Sequence, residues 1–359
     1  RPVSCIGRAA SRGRMEKKQM KRIPSLAVIA AAAAMPLAVR AQAPLEVNYG
    51  YTTADHVNLY VAQDLGLFEK AGLKPKFFTF PSGAPMLAAL KSDSVDVVTA
   101  GLGFAFALGQ NIPLKMLFWN SNDALGEGFV VEPNSPIKSF KDLAKAQKIG
   151  AASGTCAQIA LYLMAKKTGV DFAKLNVVNI PAPLFRNSFK SNSIDAGIAW
   201  SPYSFMLDAE GYKVVNFDVD YVPLGGVCPR TTAVRPAFLR AHPEVGPKLL
   251  EIDAVAAEAV ARNPQLAVDA LVKRLGLPPA VAKAGIDQLY MKRPTIEQQL
   301  DPNSPYTMVS KDKGLAAMYE LATQVLYETK SIPAPVSKKT IEDAIDPEPL
   351  RQFAASRKR

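Results

Sequence analysis

From Leu45 onward, apolar positions alternate with polar ones, then shift to helical spacing, and the exchange repeats along the chain. Leu45-Glu-Val-Asn-Tyr49 alternates as a half-buried strand does. A helix is predicted over Val57–Asp64, with Asp55 placed to cap it and Gly66 and Gly72 punctuating the helix ends. Lys76–Phe80 and Val95–Thr99 read as strands, Ala84–Lys91 and Phe104–Gly109 as helices, and Leu114–Trp119 as another strand. Strands alternating with helices predict a mostly parallel sheet flanked by helices.

The rhythm restarts at Phe129-Val-Val131, a strand, followed by the breaker cluster Glu132-Pro-Asn-Ser-Pro136, expected to be a hinge. Helices are predicted over Ser139–Ala146, Gln158–Lys167, Leu184–Lys190 and Tyr203–Glu210. The strands between them are Lys148–Ala152, Leu175–Ile180, Asp195–Ala199 and Val214–Phe217. This second α/β unit spans residues 133–227. Beyond the strand Thr231–Val234 only helices follow, among them Glu244–Arg262, which has Leu249, Ile252, Val255, Ala256 and Ala259 on one face. With no sheet of their own, these helices are expected to pack back on the first unit. The fold class is α/β: two lobes at 42–132 and 133–227, with 228–359 returning to the first. The connectors are expected near 132–136 and 227–231.

A length of 359 residues agrees with two domains. The formal charge of +11 does not belong to them. Residues 1–41 hold nine Lys or Arg against Glu16, leaving 34 basic and 31 acidic residues beyond, a formal +3. Nucleic-acid binding therefore loses its composition argument. Those 41 residues read as an export signal: Lys21-Arg22, the apolar run Leu26–Leu37, and Val39-Arg40-Ala41 as the cleavage site. The expected location is the periplasm of a Gram-negative cell, with translation starting at Met15 or Met20.

Cys156 and Cys228 remain after export. An oxidising compartment permits a disulfide between them. Nothing in the sequence places them together, however, and two free, half-buried thiols are the expectation. Two distant histidines, His56 and His242, and two distant cysteines make no metal set. No cofactor motif, P-loop, Gly-x-Ser-x-Gly or His-Glu-x-x-His occurs. The turns Ser82-Gly83 and Gly101-Leu102-Gly103 each lead into a helix start, where free N–H groups and the helix dipole favour an anion.

Asp55-His56-Val57, Ala62, Gly66-Leu67-Phe68 and Ala71-Gly72-Leu73 resemble the opening of the solute-binding proteins of the nitrate/sulfonate/taurine type, which feed ABC importers. Ser82-Gly83, Ala88-Ala89-Leu90, Val95-Asp96, Ala100-Gly101, Phe140-Lys-Asp-Leu143, Lys148-Ile-Gly150 and Ser153-Gly154-Thr155 continue the resemblance in order. Ile194-Asp-Ala196, Trp200-Ser-Pro202 and His242-Pro-Glu244 complete it, over residues 45–345. The resemblance implies a two-lobed, type II-like periplasmic binding protein. It implies a monomer that closes on a small molecule and hands it to a membrane permease with its ATPase, without catalysis. The alternatives are an enzyme of the same fold acting on a pyrimidine or small carboxylate, or a receptor reporting to a sensor.

The resemblance places the ligand between Ser82, Gly83, Gly101, Leu102, Gly103 and Phe104 of the first lobe and Ser153, Gly154, Thr155 and Cys156 of the second. Asp55, His56, Pro183 and Trp200 stand beside the expected cleft. Where taurine-type members show an acid, near Cys228-Pro229-Arg230, this chain has Arg230. With Arg186 as a second cation, the expected ligand is a small organic anion, a carboxylate or sulfonate.

Overall fold

The computed structural model describes residues 43–357. The expected export signal lies outside the described residues. Ten strands are present among them: β1 (Leu45–Thr52), β2 (Leu73–Phe80), β3 (Val97–Ala100), β4 (Lys115–Asn122), β5 (Gly128–Val131), β6 (Ile149–Gly150), β7 (Val177–Val178), β8 (Ala196–Ala199), β9 (Lys213–Phe217) and β10 (Pro229–Val234). They form two five-stranded sheets, in the orders β2-β1-β3-β10-β4 and β7-β6-β8-β5-β9.

Neither sheet is mostly parallel, contrary to the sequence expectation. β1 runs parallel to β2 and β3, with Leu45 opposite Leu73 and Tyr49 opposite Val97, but β10 lies antiparallel between β3 and β4. In the second sheet β6 is parallel to β7 and β8, and β5 is antiparallel to β8 and β9. The antiparallel strands are the two on which the chain changes sheet. β5 arrives from the first sheet and β10 returns from the second. Neither comes through a helical crossover within its own sheet, so the rule that ties such crossovers to parallel pairing does not act on them. The outward passage lies at residues 123–127, ahead of the expected Glu132–Pro136 connector, because β5 already belongs to the second sheet.

The helix Val57–Asp64 has its predicted bounds, and Val245–Arg262 starts one residue later than predicted. The stretch predicted as helix at Ser139–Ala146 is instead a short 3₁₀ turn, Phe140–Lys145, closed by a Ser139/Asp142 capping box. It buries only Leu143, too little tertiary contact to extend a short helix.

Val245–Arg262 and Gln265–Leu275 pack on Val57–Asp64, and Glu348–Ser356 packs on β4. The C-terminal helices thus cover the first sheet, as expected. They also touch the second unit. Pro279–Gln288 packs on Tyr203–Ala209 and Gly314–Glu328 on Cys156–Thr168, and Gln158 Nε2 donates to Ser331 Oγ at 2.7 Å. One apolar core runs through both units, from Val47, Val97 and Leu117 to Ile149, Ile159 and Ile198. A smaller cluster around Phe185 and Phe189 sits under the second sheet.

Candidate ligand-binding site

Three helices begin where strands of the two sheets end: Gly83–Lys91 after β2, Gly103–Gly109 after β3, and Cys156–Thr168 after β6. Their first turns carry no side-chain cap. Thr155, at the cap position of the third, turns its hydroxyl to the Ala152 carbonyl at 2.7 Å instead. All three starts line one cavity of about 50 Å³, through Ser82, Gly83, Leu102, Gly103, Thr155 and Cys156. The wall is completed by Thr52, Ala54, Ala100, Gly101, Asp123, Glu127, Trp200 and Cys228. An uncapped helix start presents N–H donors and a partial positive charge, so first-turn donors from both units border one small volume.

The structure thus gathers eight sequence-predicted residues: Ser82, Gly83, Gly101, Leu102, Gly103, Thr155, Cys156 and Trp200. Others stand elsewhere. Phe104 is fully buried in the core. Ser153 N–H donates to Asn179 Oδ1 at 2.9 Å and Gly154 N–H to Gln158 Oε1 at 2.7 Å, so both donors are occupied. Pro183 and Arg186 border a separate surface depression, and Arg186 pairs with Glu210. Asp55, His56 and Arg230 border a second internal cavity, between the first sheet and the helix Val245–Arg262.

Arg230 is not the free cation that the sequence suggested. It is 3% exposed. Its Nε donates to Asp123 Oδ2, Nη2 to Asp55 Oδ1 and Nη1 to the Asp55 carbonyl, each at 2.8 Å. Desolvation works against the guanidinium charge, but Asp123 and Asp55 more than restore it and raise its pKa. Asp55 is likewise not a helix cap. Its other oxygen, Oδ2, accepts from Ser201 Oγ at 2.6 Å, joining the first sheet's side to the turn after β8. Trp200 makes a second such link, Nε1 to the Thr53 carbonyl at 3.0 Å.

His56 stands at the cap position without capping; its Nε2 lies 2.8 Å from the Thr52 carbonyl. Burial, helped by Arg230, pushes its pKa well down. The ring is neutral, and Nε2–H donates to that carbonyl.

The sequence reading missed Glu127 and Asp123. Glu127 is 0% exposed and neither carboxylate oxygen has a partner. Burial raises its pKa well above the usual carboxylate range, and Asp218 and Asp123 add to the effect. Burial likewise pushes Asp123 up to about 6, with Arg230 the largest opposing influence. The one sequence signal was a pair of acids, Asp123 and Glu127, in the short gap between two apolar strands.

Cys156 and Cys228 are joined, with Cα atoms 5.4 Å apart, which corrects the expectation of two free thiols. Proximity comes from topology. Cys156 begins the helix after β6, and Cys228 leads into β10 of the other sheet. Both sulfurs press on Gly101, where a Cβ would stand 2.9 Å from Cys156 Sγ and 3.2 Å from Cys228 Sγ, so only glycine fits without a shift. Glu127 and the two sulfurs would place three metal-ligand atoms within 4.8 Å of one another. Bonded to each other, however, the sulfurs are not thiolates.

Two α/β lobes with a cleft at the carboxyl ends of strands define the class: the two-lobed periplasmic binding protein fold. Solved structures agree. The alkanesulfonate-binding protein SsuA from Xanthomonas axonopodis pv. citri, bound to MOPS, superposes with a TM-score of 0.69 at 19% identity, over 85% of this chain and 99% of that one. The periplasmic nitrate-binding protein NrtA from Synechocystis PCC 6803 gives 0.67 at 14% identity, over 87% and 88%. A protein of Escherichia coli (strain K12) named for aliphatic sulfonate binding is 25% identical over 88% of this chain and 95% of its own length. The NMT1/THI5-like family matches residues 53–267, and the chain belongs to that family.

Proposed function

We propose that this protein is the solute receptor of an ABC importer, working in the periplasm as a monomer. It closes its two lobes on a small molecule with an anionic group and presents it to the membrane permease. The observation that carries this reading is the convergence of uncapped first turns from both lobes on one cavity. Such a site binds by N–H donors and dipoles and needs no nucleophile. In this reading the lobes part and close about the two connectors, residues 123–127 and 218–228, and the contacts Ser201–Asp55 and Trp200–Thr53 hold them together in the closed state. A ligand that touches both lobes favours the closed state by its differential affinity. Among the described residues no helix is long and apolar enough to cross a membrane.

A thermal-shift screen against sulfonates, carboxylates, nitrate, aromatic acids and pyrimidines tests the reading. The expected result is saturable stabilisation by one class with the solute recovered unchanged. Chemical conversion of the bound solute overturns it in favour of an enzyme.

A further inference from the structure

Glu127 is fully buried in the cleft wall, and neither of its carboxyl oxygens has a hydrogen-bond partner. Its backbone is pinned to both connectors. Its N–H donates to the Asp123 carbonyl at 2.9 Å, and its carbonyl accepts from Asp218 N–H at 3.0 Å. One carboxyl oxygen lies within 4.8 Å of both Cys156 Sγ and Cys228 Sγ. Cys156 is the first residue of the helix Cys156–Thr168, so the carboxyl stands against that first turn without accepting from it. The residue also lines the cavity of about 50 Å³ on which the three uncapped helix starts converge.

The charged groups that face this carboxyl are acids. Asp123, on its own connector, is paired with Arg230, which also holds Asp55. Asp218, on the other connector, accepts from the buried Tyr221 hydroxyl at 2.5 Å and stands beside Asp220. Of the cavity-lining residues only Asp123 and Glu127 titrate, since the two cysteines are bonded. Burial, with Asp218 and Asp123, holds Glu127 in its protonated form. A protonated carboxyl has an O–H to give and does not repel an anion. Left unpaired, that buried donor is costly, and an anionic group seated at the helix starts supplies its acceptor. From this placement we infer that Glu127 enters the solute complex as a neutral carboxyl and donates its O–H to the solute's anionic group, so that binding the solute also holds a proton. The inference rests on the receptor reading and concerns the regulation of that site. The coupling is reciprocal: the proton favours the anion, and the anion favours the proton. While free Glu127 is protonated, affinity does not depend on its titration. Once it ionises, affinity falls about ten-fold per pH unit, in step with the protonated fraction.

The test uses nitrate, ethanesulfonate, propionate and benzoate, which stay ionised from pH 6 to 10, so that any pH dependence belongs to the protein. Calorimetry is run across that range on the wild type, Glu127→Gln and Glu127→Leu, in two buffers of different ionisation heat. The wild type is expected to bind at least one of these anions, with affinity falling about ten-fold per pH unit toward the basic end. Proton uptake should rise toward one per solute over the same range. Glu127→Gln keeps an N–H donor at every pH and should bind that anion without the Glu127 step. Asp123, raised to about 6, and Asp218 remain in this variant, so their titration does not mimic the loss. Glu127→Leu has no donor and should bind about ten-fold or more weakly at pH 6. A flat wild-type profile, the same profile in Glu127→Gln, wild-type affinity in Glu127→Leu, or binding of none of the four anions overturns the inference. Should the variants not fold, proton uptake by the wild type decides. If an anion binds with a flat profile and is released unchanged, the inference fails and the receptor reading stands. Silence across the wider solute screen removes both.

Discussion

Replacing Arg230 with methionine separates a structural cation from a ligand-binding one. The guanidinium makes three hydrogen bonds, all at 2.8 Å, to Asp55 and Asp123, and all three groups are buried. Methionine has comparable length and no charge, so the packing loss is small and the electrostatic loss dominates. Removing one partner of a buried ion pair costs about 3–5 kcal/mol, because the other is left uncompensated. Asp123 is already raised to about 6 against the pull of Arg230. Without that pull it takes up a proton near neutral pH, which places the expected cost toward the lower end. For the 315 residues from 43 to 357, an unfolding entropy of about 2.1 cal/mol/K per residue amounts to roughly 0.66 kcal/mol/K. The melting temperature of ligand-free protein should therefore fall by about 5–8 °C. Adding Asp123→Asn to Arg230→Met should cost less than the two single changes together, since each removes the same pair. Differential scanning calorimetry on the four proteins measures this. A ligand-free melting temperature within 1 °C of wild type, with ligand affinity reduced a hundred-fold, would falsify the structural assignment and return Arg230 to the binding site.

Ser201→Ala removes the hydrogen bond to Asp55 Oδ2 that links the two lobes. A bond to a charged group contributes about 1.5–3 kcal/mol, so solute affinity should fall roughly 10- to 150-fold. Small-angle scattering of the ligand-bound form should show a larger radius, and unchanged affinity and radius would refute the latch. Cys156→Ser with Cys228→Ser opens a link spanning a sequence separation of 72 and should lower unfolding free energy by about 4 kcal/mol. Equal denaturant midpoints for both proteins would contradict that. Glu127→Gln should become more stable relative to wild type as pH rises. The native Glu127 pKa lies well above the unfolded value of about 4.5, so its protonated form contributes stability that is fully present below that value. The contribution is lost as pH rises through the raised native pKa. Melting curves from pH 4 to 9 check this, and a constant difference between the two proteins would sink it.

Local order was legible in the chain because it depends on local causes. The spacing around Leu249 sets an amphipathic helix, and the alternation at Leu45–Tyr49 sets a strand. The glycine turns after strands mark helix starts wherever the sheet places them, so the starts at Gly83 and Gly103 were legible, while which of them border one cavity was not. Strand direction was not legible. The pattern of β10 reads the same whichever way it pairs, and its antiparallel place between β3 and β4 follows from the chain's return to the first sheet. The pairing of Cys156 with Cys228 and the capture of Arg230 by Asp55 and Asp123 were equally hidden, since each joins residues distant in sequence. Spacing along a chain records what a residue needs from its neighbours in sequence. Whether a charge is free for a ligand or consumed by another charge, as with Arg230 and Glu127, is decided only when distant segments pack and water is excluded. There, a carboxylate and a guanidinium must find each other or stay unpaired.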